Sequence, residues 1–192
     1  SAFLMQHLME KNIASCAGIT IMNTSYPFFR AYEMAEELCG AAKNEMRALE
    51  RAAGHEVDSC WLDFAILHGE QPPTLEQFRA QEYRGARGDL HFGPYRVDTD
   101  GAGATDERHI TALLAGVRGL RGLPRNKVKE LRRVLAYGKH EQQQFMTQLG
   151  HLNLQLPDVP AWHAYAENLW ERERTPYMDA IELMDYVMDG EV

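Results

Sequence analysis

Two apolar strand-like runs, separated by one long amphipathic stretch, constrain this chain more than any other feature. Residues 13 to 22, IASCAGITIM, alternate with period two. Ile13, Ser15, Ala17, Ile19 and Ile21 fall on one face, and Ala14, Cys16, Gly18, Thr20 and Met22 on the other. The second face is mostly small, which leaves room for a helix, another sheet or a ligand to press against it. The later run SCWLDFAILHG is almost continuously apolar, as suits a central strand covered on both faces. Between them, Phe28, Ala31, Ala35, Leu38, Ala42, Met46 and Leu49 recur at steps of three or four, the stripe of a core-facing helix. So long a connection is what a parallel pair of strands requires, and a strand–helix–strand half-sheet is predicted.

The helix carries its own start and stop signals. Pro27 suits the first turn, where its missing N–H would have no partner, and Ser25 or Thr24 can cap that end. Glu33, Glu36 and Glu37 come early and Lys43 and Arg47 late, in keeping with the helix dipole. Gly54 can terminate it. Lys43 lies four residues after Cys39 and seven after Glu36, at the border of the buried stripe. Spacing alone makes it a snorkelling lysine that pairs with Glu36 or favours the helix C-terminus.

After Gly69 the pattern changes. Thr74 can cap a short helix bearing Leu75 and Phe78, with Tyr83 beyond, and LHFGPYRVD reads as an edge strand or arm interrupted by Gly-Pro. The polar, Gly-rich DTDGAGATDE is the expected domain boundary. Beyond it, helices are predicted over 106–121, 124–150, 160–172 and 175–189. The fold class expected is α+β, with strands first and a helical bundle after them, divided into residues 1–100 and 101–192.

Composition excludes several classes. A net charge of −8 argues against a nucleic-acid coat, although a local basic patch can still bind. No apolar run approaches the roughly 18 residues of a membrane span, and no secretory signal opens the chain. Cys16, Cys39 and Cys60 are odd in number and far apart, as expected of reduced thiols in a cytoplasm rather than of a disulfide framework. The opening Ser-Ala, without methionine, runs at once into FLMQHLMEKN, which reads as the last turns of a helix. A piece cut from a longer protein is the expectation.

Few chemical motifs stand out. Asp98, Asp100, Gly103 and Asp106 follow the first part of a calcium loop, but Ala102 and His109 occupy ligand positions, so a solvated linker is expected and no metal. The eight histidines form no HExxH, and His140 beside Glu141 reads as surface polar residues. Nucleophile elbow, P-loop and dinucleotide fingerprint are all missing. Asp63 interrupts an apolar strand and must find a partner or face a cleft; a structural hydrogen-bond acceptor is the reading, with no catalytic role. From Arg118 to Lys139 eight cations, among them Arg125, Lys127, Lys129, Arg132 and Arg133, face one acid, Glu130. With Val128, Leu131 and Leu135 as its core stripe, this helix is either a solvated face or a surface for RNA or an acidic protein neighbour.

The run SCAGITI, then YPFFRAYEMAEELCGAAK, then a strand ending LDF resembles the second palm domain of the large, polymerase-like cyclase subunit of type III CRISPR effector complexes. The likeness covers about residues 1 to 70. More loosely, KVKELRRVLAYGKHEQQQF and TPYMDAIEL look like the helical C-terminal domain of the same subunit. Diguanylate cyclases share the strand–helix–Ala-Lys arrangement more distantly.

The resemblance implies a ferredoxin-like palm, ATP with Mg²⁺ as cofactors, conversion of ATP to cyclic oligoadenylate in antiviral defence, and other subunits of an RNA-guided complex as partners. It places Lys43 near the nucleotide phosphates, with Tyr26 as the second nucleotide-binding residue; an ammonium against a polyphosphate is sound chemistry. The family's metal-binding Gly-Gly-Asp-Asp hairpin occurs nowhere in this sequence, so no catalytic residue is assigned and the chain alone is expected to be inert. Two alternatives remain: a non-catalytic scaffold whose basic helix binds RNA or a protein, and a diguanylate-cyclase-like protein, which the long helical tail fits poorly.

Overall fold

A computed structural model describes residues 14–57, 59–69, 74–97 and 105–188. In chain order the elements are β1 (Ser15–Met22), α1 (Phe28–Ala53), β2 (Cys60–Leu67), α2 (Leu75–Glu82), the short strands β3 (Arg84–Gly85), β4 (Gly88–Asp89) and β5 (Tyr95–Arg96), then α3 (Ile110–Arg121), α4 (Arg125–Leu135), α5 (Lys139–His151), a 3-10 turn (Pro160–Tyr165) and α6 (Tyr177–Leu183). The fold is α+β. Two compact units interleave along the chain: one takes the residues up to 80 with 93–97 and 108–110, the other takes 81–92, 105–107 and the residues from 111 onward. The expected helix turns before residue 13, and residues 98–104 of the DTDGAGATDE linker, lie outside the described residues.

In the first unit β1 and β2 pair in parallel over their full length, from Ser15 opposite Cys60 to Met22 opposite Leu67. Two-residue β5 adds antiparallel to β2, so β2 is central and almost wholly buried, as its unbroken apolar run requires. The small face of β1 receives α1. Thr20 Oγ1 donates to the Ala31 carbonyl (3.2 Å), and the Cys39 thiol lies 3.5 Å from the Cys16 carbonyl oxygen. Across β2, Phe64 stacks with Tyr95 at 6.0 Å.

Helix α1 departs from expectation at its edges. Its buried residues are Ala31, Met34, Leu38 and Ala42, whereas Phe28 (74 % exposed) and Leu49 (37 %) lie off the stripe. The buried residues run from the first turn to the middle of the helix, and Met46 beyond them still meets Cys16 of β1 (3.8 Å). Pro27 occupies the N-cap position and no side chain caps the end. The expected caps are engaged in the preceding turn instead: Thr24 Oγ1 and the Ser25 N–H both point to Asn23 Oδ1. Gly54 ends the helix in the left-handed region (φ 75°), its N–H bonded to the Glu50 carbonyl.

Two expected features of this unit hold. Thr74 Oγ1 accepts from the Gln77 N–H (3.3 Å) at the start of α2. Asp63 is a structural acceptor: it is fully buried, Oδ1 takes the Phe64 N–H (2.9 Å), and Oδ2 pairs with Arg79. Arg108 forms a second clamp, bonding Glu45 (2.6 Å) and the Pro94 carbonyl (3.1 Å) while lying over the Trp61 ring.

The second unit is mostly helical around Leu113, Val117, Leu120, Leu131, Leu135, Phe145, Leu149, Trp162 and Tyr177. Gly116 is required by packing, since a Cβ there would meet the Trp162 ring at 2.1 Å. The single helix expected over 124–150 is two. Chain direction changes at Ala136–Gly138, where Gly138 is extended (ψ 178°). Gln142 of α5 then closes the end of α4, its Nε2 donating to the Val134 (3.2 Å) and Tyr137 (3.0 Å) carbonyls. Of the helix expected over 160–172 only the 3-10 turn forms, and Leu169, Arg172 and Glu173 all have positive φ. The last helix is shorter than 175–189. The hairpin β3–β4 was not anticipated.

Candidate functional site

Lys43 lies on the exposed side of α1, next to buried Ala42. Arg47 and Arg51 follow at steps of four residues, so the three cations form one row rising about 6 Å per step. None of the three has an ion pair among the described residues. Glu36, the partner expected for Lys43, instead accepts the Tyr32 hydroxyl, which pushes that phenol's pKa up. Beside the row is a groove of about 640 Å³ lined by Asn44, Arg47, Glu50, Arg51, Gly54 and His55. Arg51 Nε donates to the Arg47 carbonyl (3.2 Å), which steadies its stem along the helix. Below the row, burial raises the Cys16 thiol and Cys39 adds to the shift, while Lys43 and Arg47 pull it back down. Both cations are therefore near enough to act on the strand beneath.

Tyr26 is not part of this arrangement. It is half-buried in the turn before α1, its N–H bonded to the Asn23 carbonyl. Fifteen residues of helical rise, about 22 Å, separate the start of α1 from Lys43. Arg47 and Arg51 are the neighbours of Lys43 that sequence reasoning passed over, though their i, i+4, i+8 spacing was available.

The five cations expected on α4 do not share one surface. Lys127 is buried, with Nζ bonded to Glu130 Oε2 (2.8 Å) and Gln148 Oε1 (2.8 Å), so it stitches α4 to α5 rather than facing out. Arg132 reaches the largely buried Glu182 (3.2 Å), whereas Arg125 faces Asp185 loosely at 3.7 Å, with both side chains of that second pair well exposed. Lys129 and Arg133 keep no ion pair among the described residues. The near absence of acids in the local sequence is thus offset by acids more than forty residues further on.

A buried polar cluster in the second unit had no counterpart in the sequence reading. Asp179 and Glu182 project from one side of α6. Asp179 accepts the Phe92 N–H (2.9 Å) and faces His91 Nδ1 (3.2 Å). Glu182 accepts the Tyr83 hydroxyl and Arg132. Burial raises Glu182 to about 7, with nearby Asp179 adding to the shift and Tyr83, Arg132 and His91 opposing it. Tyr83 is driven far above its ordinary value by burial and by the Glu182 charge. Two acids spaced i, i+3 inside the apolar YMDAIEL were the available signal. Every member binds another member or backbone, which makes the cluster a fastening for residues 83–92.

For a nucleotide, the α1 row offers what phosphates need: adjacent exposed cations and a lining of amide and imidazole groups. For Mg²⁺ the described residues offer less, since no three His, Cys, Asp or Glu side chains among them stand close enough to hold an ion. Nor is any helix among them long and apolar enough to cross a membrane. No protein-family model matches the chain, and no curated protein matches it.

Proposed function

We propose that this chain supplies one wall of a nucleotide site in a palm of the type III CRISPR cyclase kind, and that its mainly helical second unit docks within such an effector complex. The observation that carries the reading is the parallel β1–α1–β2 arrangement, with a cationic row beginning at Lys43 that has no ion pair among the described residues. A palm half-sheet needs strands 15–22 and 60–67 side by side under one helix, and that is their arrangement.

The role of the chain's own residues follows from charge and placement. Lys43 contributes a point charge to a terminal phosphate, and Arg47, one turn on, can grip a second phosphate through its planar fork. The sheet beneath fixes the α1 backbone, so the cations are oriented before a ligand arrives. Their position toward the helix C-terminus, where the dipole is negative, works against an anion by a few tenths to 1 kcal/mol or so. Three cations outweigh that term. Metal activation of a hydroxyl is not assigned to these residues, because the described part of the chain has no carboxylate cluster for it.

The test is equilibrium binding of ATP with Mg²⁺, compared for the native chain, Lys43→Ala and Arg47→Ala. Each substitution should weaken binding about tenfold, near the lower end of the range for a charged hydrogen bond. Affinity unchanged by either one refutes the assignment.

A further inference from the structure

Helices α4 and α5 enclose a groove of about 430 Å³, within the size range of small-molecule sites. Its lining joins apolar and polar groups in an unusual way. Val134 and Phe145 are buried and form an apolar floor, while Tyr137 is half-exposed at the side. Gln144 and Gln148 add exposed carboxamides, and Arg133 adds a cation. Glu130, also in the lining, is already neutralised by Lys127, and Glu141 leaves one acceptor at the rim.

Arg133 does not stand alone. Arg125, Lys129 and Arg133 fall on one line of α4 at four-residue steps, about 6 Å apart. Lys129 and Arg133 lack ion pairs among the described residues, and Arg125 is held only by the loose 3.7 Å contact with Asp185. In a chain of net charge −8, an open line of three cations that ends at an aromatic and amide-lined groove is complementary to a phosphodiester strand with a base to place.

We propose that the α4–α5 groove takes one unstacked base of a single-stranded polynucleotide, with the neighbouring phosphates on Arg125, Lys129 and Arg133. Tyr137 supplies the stacking surface, which suits any base. Gln144, Gln148 and Glu141 meet the polar edge of the base, and their mix of donors and acceptors fits an amino-bearing base such as adenine. Among the described residues Gln148 Nε2 has no acceptor, since Lys127 uses its Oε1. The site is in the second unit and is independent of the nucleotide reading of α1.

The experiment is fluorescence anisotropy with a labelled oligoadenylate RNA, titrated at several salt concentrations against native protein, Arg133→Ala, Tyr137→Ala, Tyr137→Phe and Arg118→Ala. Binding should fall with salt, and Arg133→Ala should lower the log–log slope by about 0.7, the contribution of one phosphate contact on a single strand. Tyr137→Ala should weaken binding about tenfold at unchanged slope, with Tyr137→Phe near native, as loss of one stacked base predicts. Arg118→Ala, an exposed cation on α3, should have no effect. Salt-insensitive binding, no binding, equal losses from Arg118→Ala and Arg133→Ala, or equal competition by polyglutamate would each overturn the proposal. The last would indicate an acidic protein partner instead.

Discussion

Gly18 of β1 lies directly beneath the backbone of α1 at Ala35: a Cβ on Gly18 would stand 2.0 Å from the Ala35 carbonyl oxygen and 2.5 Å from the Cys39 nitrogen. Those neighbours are main-chain atoms, so no rotamer change relieves the clash. Gly18→Ala should therefore cost about 3 kcal/mol, the upper part of the usual overpacking range. Gly40, on the exposed side of the same helix, has nothing within 4 Å of its virtual Cβ. Gly40→Ala should stabilise by about 0.5–1 kcal/mol. Urea denaturation of the two variants checks both signs; a tolerated Gly18→Ala would contradict the close approach of α1.

The Asp63 carboxylate is fully buried, and Arg79 is its charged partner. Removing the guanidinium takes away an ionic hydrogen bond that this buried carboxylate accepts. Arg79→Ala should cost about 3 kcal/mol, and Asp63→Asn less, because an amide can still accept the Phe64 N–H. A double-mutant cycle gives the coupling. Additive losses would mean that the pair contributes nothing jointly.

The fastening at Glu182 predicts a pH dependence with a definite sign. Its pKa is about 7 in the folded protein against an ordinary 4.5. Between those values the folded state holds a proton that the unfolded chain has released. This contribution is complete below pH 4.5 and is lost as pH rises through 7. The loss is about 3 kcal/mol. Tyr83, Asp179, His91 and Arg132 face the same carboxyl and set the shift. Glu182→Gln should flatten the fall of stability with pH over this window. An unchanged slope would show that Glu182 is not the titrating group.

How far the sequence speaks for the structure depends on the range of the interactions. Alternation in 13–22 and the apolar run at 60–67 placed both strands, and the small face of β1 pointed to close packing because Gly18 and Cys16 are local facts of composition. Capping by Thr74 and termination by Gly54 were equally local. The division of α4 from α5 was not legible, because it depends on Gln142 reaching back to two carbonyls once the chain has turned. Lys127 looked exposed for the same reason: its partners Glu130 and Gln148 sit on two helices. At the candidate site, the role of Lys43 came from the family resemblance, and the four-residue spacing of Arg47 and Arg51 after it was present in the sequence. Charge compensation at Arg132 by Glu182 required tertiary contacts that no spacing rule supplies.

The role of Lys43 is tested most directly by mapping where ATP touches the chain. Backbone amide shifts of the isotope-labelled protein, titrated with ATP to about 10 mM so that weak binding is also seen, should change in a cluster around residues 43–55. The cluster should fade in Lys43→Ala, and inorganic tripolyphosphate should reproduce much of it. Shifts scattered elsewhere, or an identical cluster in the alanine variant, would contradict the nucleotide-wall account.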